Sequence, residues 1–349
     1  MHKHGGDIYS NTYKIDFSAN INPLGIPENV CRAAAQAVEQ CASYPDTEYR
    51  GLRAGIAKKE GVDEDEIICG NGAAELIFAI TAALRPKKAL LVVPGFAEYE
   101  QALRTQDCEV LFHELKEEQG FTLTEEYLEA LTPDLDLIFL CNPNNPTGCL
   151  IPRELLAAIL EKCRSLQIRA VVDSCFLDFL KEREEVDLSG ELQAHPELFL
   201  LKAFTKTYAM AGLRLGYGLC ADRALLQQMR QCIQPWSVSI PAQAAGCAAL
   251  KEEAYVEEAR AMIFEERERL KQELRVFGLK VYNSRANYIF FRGPEDLGES
   301  CAAEGFLLRD CSNYRGLEAG FYRIAVRRPE ENAALLGVLE QYYRKNHQR

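Results

Sequence analysis

The chain has 349 residues, 48% hydrophobic and 26% charged, with a formal net charge of −12 and a pI near 5.1. This is a globular composition, long enough for one large domain plus a smaller one. The acidic balance argues against nucleic acid and anionic membranes as partners, although a local arginine cluster can still bind a small anion.

The start, MHKHGGDIYS, lacks the apolar core of a secretory signal, and no run reaches the ~18 apolar residues of a membrane helix. The 13 cysteines are scattered, with no C-x-x-C pair. That pattern suits reduced thiols in a cytoplasmic protein and gives no reason to expect a metal. Residues 1–30 read as an irregular arm, with Gly5-Gly6 and the extended run IDFSANINPLGIP. Short helices are expected over 28–41 and 50–60, split by SYPDTEY. From 66 to 220, apolar strand runs alternate with helical spacing: EIIC then AAELIFAITAALR, ALLVVP then a helix over 97–106, EVLFHEL, DLIFLC, PRELLAAILEKCRSLQ, RAVVD and LFLLKA. This alternation predicts an α/β fold, with a mostly parallel sheet covered on both faces and ligands held beyond its carboxyl edge. One long helix is expected over 241–275, starting at Pro241. KVY, ANYIFF, a helix near 295–304, LLRD, FYRIAV and a final helix to about 344 then predict a smaller α+β unit. The expected division is 1–40 for the arm and part of the small domain, 41–240 for the large domain and 241–349 for a linking helix and the small domain.

Four segments carry chemistry. In AFTKTYAMAGLRLGY, Lys206 follows a strand run and Arg214 lies eight residues on. A lysine that forms an imine must be desolvated or near positive charge, and an arginine with a hydroxyl suits a phosphate. CNPNNPTG, 141–148, places Asn145 in a turn at a strand's carboxyl end. Asp173 ends the strand RAVVD, where a carboxylate needs a cation. CGNGAAEL sets Gly72 before a helix start, whose Ala73 and Ala74 amides are free to meet an anion. Each has a plainer reading alone: an exposed lysine, a strand-ending turn, a helix N-cap and a glycine turn.

The order of the four resembles the aspartate aminotransferase fold (fold type I) of pyridoxal-phosphate enzymes, over nearly the whole chain. The resemblance implies a three-layer α/β/α large domain and pyridoxal 5′-phosphate joined to Lys206 as a Schiff base. It further implies that Asp173 pairs the pyridine nitrogen and Asn145 the ring hydroxyl, with Gly72, Ala73, Ala74, Thr205 and Arg214 around the phosphate. Phe96 would stack on the ring, Tyr44 would cross to a partner subunit's site in a homodimer, and Arg323 would clamp the substrate carboxylate.

A narrower resemblance, to the threonine-phosphate decarboxylases of cobalamin synthesis, rests on HGGD at 4–7, DFSANINPLGIP at 16–27, PGFAEY, PWSV at 235–238, RANY at 285–288 and RDCSNYRGL at 309–317. It implies decarboxylation of phosphothreonine to aminopropanol phosphate, with His4, Gly5, Asn20, Asn145, Arg309 and Arg323 on the substrate. Three rivals remain: a histidinol-phosphate aminotransferase or related class I/II enzyme, a phosphoserine-directed decarboxylase, and a catalytically dead binding protein. Ala203, Ala74 and Ser174, which stand where related enzymes carry other residues, motivate the last. Arg309 also reads as a surface arginine paired with Asp310, Arg327 and Arg328 as solvated or structural, and the EERER run near 265–269 as a charged helix face.

Overall fold

The computed structural model describes residues 4–10 and 13–347. Its elements are, in order, β1 (Ile15–Asp16), α1 (Glu28–Ala37), α2 (Arg50–Glu60), β2 (Ile67–Gly70), α3 (Ala73–Leu84), β3 (Lys88–Val93), α4 (Ala97–Arg104), β4 (Glu109–Glu114), α5 (Glu126–Glu129), β5 (Leu137–Cys141), α6 (Arg153–Leu166), β6 (Arg169–Asp173), β7 (Leu198–Ala203), α7 (Phe204–Thr207) and β8 (Gly216–Leu219). Then follow α8 (Arg223–Cys232), α9 (Ile240–Ala249), α10 (Glu253–Val276), β9 (Lys280–Val281), β10 (Tyr288–Arg292), α11 (Leu297–Ala303), β11 (Phe306–Leu307), β12 (Arg309–Asp310), β13 (Phe321–Ala325) and α12 (Pro329–His347).

Seven strands form the main sheet, in the order β2-β8-β7-β6-β5-β3-β4. Only β8 runs against its neighbours, so the sheet is mostly parallel, as expected. Successive strand side chains point to opposite faces, and the apolar runs therefore feed two cores. Ile68, Phe139, Val171 and Leu201 pack with α3, α4 and α8 on one face. Ile67, Ile138, Val172 and Leu200 pack with α2, α6 and α9 on the other. This is the expected three-layer arrangement. A four-stranded antiparallel sheet, β12-β13-β10-β9, lies with α10 and α12, and the arm strand β1 pairs with β11. No helix among the described residues is long and apolar enough to cross a membrane, and no group of metal-ligating side chains occurs among them.

Several expectations need correction. Residues 241–275 form two helices, because Glu252 leaves helical geometry and Leu250 packs where it closes over Gly55 of α2. LLRD is not one strand: Phe306–Leu307 pairs with the arm, and Arg309–Asp310 joins the four-stranded sheet. Strand β8, rich in glycine, was not expected. A β-carbon on Gly218 would strike the Phe199 ring, so close packing against β7 explains that glycine. The EERER run is not simply a solvated face. Glu266 and Arg267 are buried, the first bonded to Arg269 and Asn332, the second to the carbonyls of Arg285 and Ala286. Arg328 is structural, donating to the Pro23 and Leu24 carbonyls of the arm.

Candidate active site

The parallel strands β3, β5, β6 and β7 end on one side of the sheet, and a cavity of about 310 Å³ opens there. Lys206 enters it from α7, directly after β7. Loss of water, then the charge of Arg323, pulls its ammonium pKa down to about 8. Asp173 enters from the end of β6, in register with Cys141 of β5. Its Oδ2 accepts from the Tyr99 hydroxyl at 2.7 Å and its Oδ1 from the Cys175 amide at 2.9 Å. Burial raises the Asp173 pKa, and those bonds oppose the rise. Asn145 follows β5 and accepts a hydrogen bond from Arg323, which also donates to the Ser18 carbonyl at 2.8 Å.

The arm is fastened over this cavity by its own sequence. Gly6 donates to Ser18 Oγ at 2.7 Å, and a β-carbon on Gly5 would strike the Ser18 carbonyl. His4 reaches Glu98 at 3.2 Å. The Asn22 amide donates to the Lys206 carbonyl at 3.2 Å, and its side chain donates to the Thr207 carbonyl at 2.8 Å. The run DFSANIN thus joins the lysine turn to the arm.

Arg309 is buried, which overturns its reading as a surface residue. It donates to the Asp310 carbonyl and, at 2.8 Å, to Asn313, and it lies over the Tyr314 ring at 5.0 Å. It stands directly opposite Arg323 across β12 and β13. Arg214 adopts a left-handed backbone at φ 57°. Gly72 beside it has φ 79°, a backbone conformation that favours glycine, and a β-carbon there would also come within 2.5 Å of the guanidinium at the end of the flexible Arg214 side chain.

The cavity brings together His4, Gly5, Asn20, Ala73, Ala74, Phe96, Asn145, Asp173, Thr205, Lys206, Arg214, Arg309 and Arg323. Gly72 does not line the cavity; it caps α3 beside Arg214. Tyr44 stands outside, exposed and stacked on Trp236 at 4.6 Å. Sequence reasoning missed Tyr99, Cys175, Glu98 and Tyr314, which also line the cavity. Tyr99 had a signal, three residues after Phe96 and so on the same side of a helix start.

The family model for aminotransferase class I and II matches residues 12–339. The chain belongs to this family. Threonine-phosphate decarboxylase of Salmonella typhimurium is 41% identical over 348 residues, covering 96% of this chain and 95% of that protein. The adenosylcobalamin biosynthesis bifunctional protein CobDQ of Leptospira interrogans is 30% identical over 99% of this chain and 42% of its own length. The crystal structure of the histidinol-phosphate aminotransferase from Clostridium acetobutylicum superposes with a TM-score of 0.89 at 30% identity, covering 95% of this chain and 100% of that one.

Class I and II aminotransferases are pyridoxal-phosphate enzymes, and the residues present fit that cofactor. Two cavity residues carry buried polar atoms without a hydrogen-bond partner among the described residues, Asn20 Oδ1 and Arg323 Nε, as a site built for a polar ligand requires. The amides at the start of the 12-residue helix α3 have no partner within the helix and lie with Arg214 and Thr205, a suitable set for a phosphate. Asp173 provides the carboxylate for a ring nitrogen, and Lys206 the amine for an aldehyde. Phe176 lines the wall, its ring 6.0 Å from Lys206 Nζ.

Proposed function

We propose that the chain is a pyridoxal-phosphate-dependent decarboxylase of L-threonine O-3-phosphate, releasing CO2 and leaving (R)-1-amino-2-propanol O-phosphate for cobalamin assembly. The observation that carries this reading is the cross-strand pair Arg309–Arg323, both buried and both lining the cavity. Like charges directly opposite one another destabilise a sheet, and more so out of water. A substrate with two separate anionic groups relieves both. The similarity to the Salmonella decarboxylase supports the same substrate class.

In this reading Arg323, held by Asn145 and the Ser18 carbonyl, takes the carboxylate, while Arg309, His4, Gly5 and Asn20 take the substrate phosphate. Two separate docking points would hold the substrate at both its anionic ends and so limit its rotation in the cavity. The cofactor supplies the sink for the electrons of the broken bond. Asp173 would hold the ring nitrogen and Phe96 would lie against the ring, while Ala73, Ala74, Thr205 and Arg214 would hold the cofactor phosphate. Lys206, with its pKa pulled down to about 8, is suited both to capture the aldehyde and to return a proton to the α-carbon. That shift also speaks against a dead binding protein. The division at residues 40 and 240 belongs to this reading, as does a homodimer in which Tyr44 reaches the neighbouring site.

The second reading, aminotransfer on a histidinol-phosphate-like substrate, is favoured by the likeness to the clostridial structure. Incubation with phosphothreonine separates the two. CO2 release without an added oxoacid is the expected result. Glutamate formation from 2-oxoglutarate with no CO2 would overturn it. Phosphoserine is expected to react more slowly, since one methyl group accounts for about 1–3 kcal/mol of discrimination.

A further inference from the structure

We propose that Tyr99 is a positioning residue that aims the Asp173 carboxylate at the cofactor's ring nitrogen and keeps it ionised there. The proposal rests on the reading above that this cavity holds pyridoxal phosphate.

Asp173 is 7% exposed, so its charge depends on protein donors. Tyr99 holds Oδ2 and the Cys175 amide holds Oδ1. One donor on each oxygen fixes the plane of the carboxylate, because rotation about its bond would break both. The Tyr99 hydroxyl is itself fixed. Its ring lies nearly parallel to Phe139, at 4.8 Å and 12°, and edge-on to Phe96, at 5.5 Å and 74°. Phe139 belongs to β5 and Phe96 precedes α4, so two elements of the sheet layer hold the phenol. Tyr99 thereby links the wall residue Phe96 to the acid at the base of the cavity.

The electrostatics run the same way. Burial, then the facing carboxylate, pushes the Tyr99 phenol well above its usual pKa, so it remains a donor. A hydrogen bond to an ionised oxygen is stronger than a neutral one and draws charge from it. Asp173 is pushed up by burial, and the bonds from Cys175 and Tyr99, with the Lys206 charge, oppose that. Cys141, Cys175 and Tyr288 also face its charge, and burial keeps all three protonated. Without the Tyr99 hydroxyl, Asp173 takes a proton more readily and swings more freely. Both changes weaken its grip on a protonated ring nitrogen.

Tyr99→Phe removes the hydroxyl and keeps the ring contacts. The test measures the dissociation constant of pyridoxal phosphate, and of its 1-deaza analogue, in which carbon replaces the ring nitrogen. The unaltered protein, Tyr99→Phe, Asp173→Asn and the double variant are compared. Tyr99→Phe is expected to bind pyridoxal phosphate about tenfold more weakly. Its affinity for the deaza analogue should stay within about twofold, and adding it to Asp173→Asn should change little. Equal losses for both cofactors would assign Tyr99 to packing alone and overturn the proposal, as would no loss at all. If the unaltered protein binds no pyridoxal phosphate, the cofactor reading falls and takes this proposal with it. Binding by the unaltered protein with no change in Tyr99→Phe overturns the proposal only.

Discussion

At the scale of single residues, the state of Lys206 decides how the site is loaded. Only its neutral amine attacks an aldehyde, and the pKa is pulled down to about 8. The rate of cofactor capture by the apoprotein should therefore rise with pH through a midpoint near 8 and level off about one pH unit higher, as stopped-flow absorbance will record. A midpoint near the ordinary lysine value, about 10.4, would mean that Lys206 is not desolvated. The two arginines divide the substrate between them. Arg309→Leu should weaken phosphothreonine binding by about 2–5 kcal/mol, the usual cost of removing one member of a buried charged contact, while binding of threonine itself changes little. Isothermal titration with both ligands separates the cases. An equal loss for both would place Arg309 away from the phosphate.

The elements around the site are held from behind as well as from within. Thr207, next to Lys206, donates to Asp178 at 3.1 Å, and Asp178 pairs with Lys59 at 3.5 Å and Arg183 at 3.1 Å. Burial alone would raise the Asp178 pKa, but the charges of Lys59, Lys202 and Arg183 overcome it and hold the carboxyl well below its usual range. Its folded pKa is depressed, so its contribution to stability is complete above about pH 4 and lost as the pH falls below that. Asp178→Ala should cost about 2–3 kcal/mol in urea unfolding at neutral pH. This is less than the full penalty for a buried pair, because the Asp178 side chain is 20% exposed. The difference from the unaltered protein should shrink in acid. At the start of α3, Gly72→Ala meets both a left-handed backbone and the Arg214 guanidinium. It should lose about 1–3 kcal/mol in apoprotein stability and also bind cofactor more weakly. Unchanged melting of the apoprotein would contradict that account of the glycine.

For the whole molecule, the Tyr44–Trp236 stack lies exposed on the surface, where the proposed homodimer would cover it. Light scattering should report a dimer, and Tyr44→Ala should reduce cofactor affinity without dissociating it. A monomer that binds cofactor as tightly would remove the assignment of Tyr44 to a neighbouring site. Much of the fold and site was legible because strand-ending motifs carry their chemistry in short runs: Asp173 ends an apolar strand, and Asn145 and Lys206 each follow one. The pairing of β8 was not legible, since its glycines answer to other segments rather than to a local pattern, Gly218 to the Phe199 ring and Gly216 to the backbone of Gly72 and Ala73. Nor was the burial of Glu266 and Arg267, whose partners Asn332, Arg285 and Ala286 come from later segments. Tyr99 belongs to the same class, because Asp173 lies 74 residues away in the chain. The central claim is that this fold gathers its site around one lysine. Borohydride reduction of the cofactor-loaded protein, followed by peptide mass spectrometry, tests that most directly. A pyridoxyl-phosphate label on Lys206 is the expected result; a label on another lysine, or none on Lys206, would contradict it.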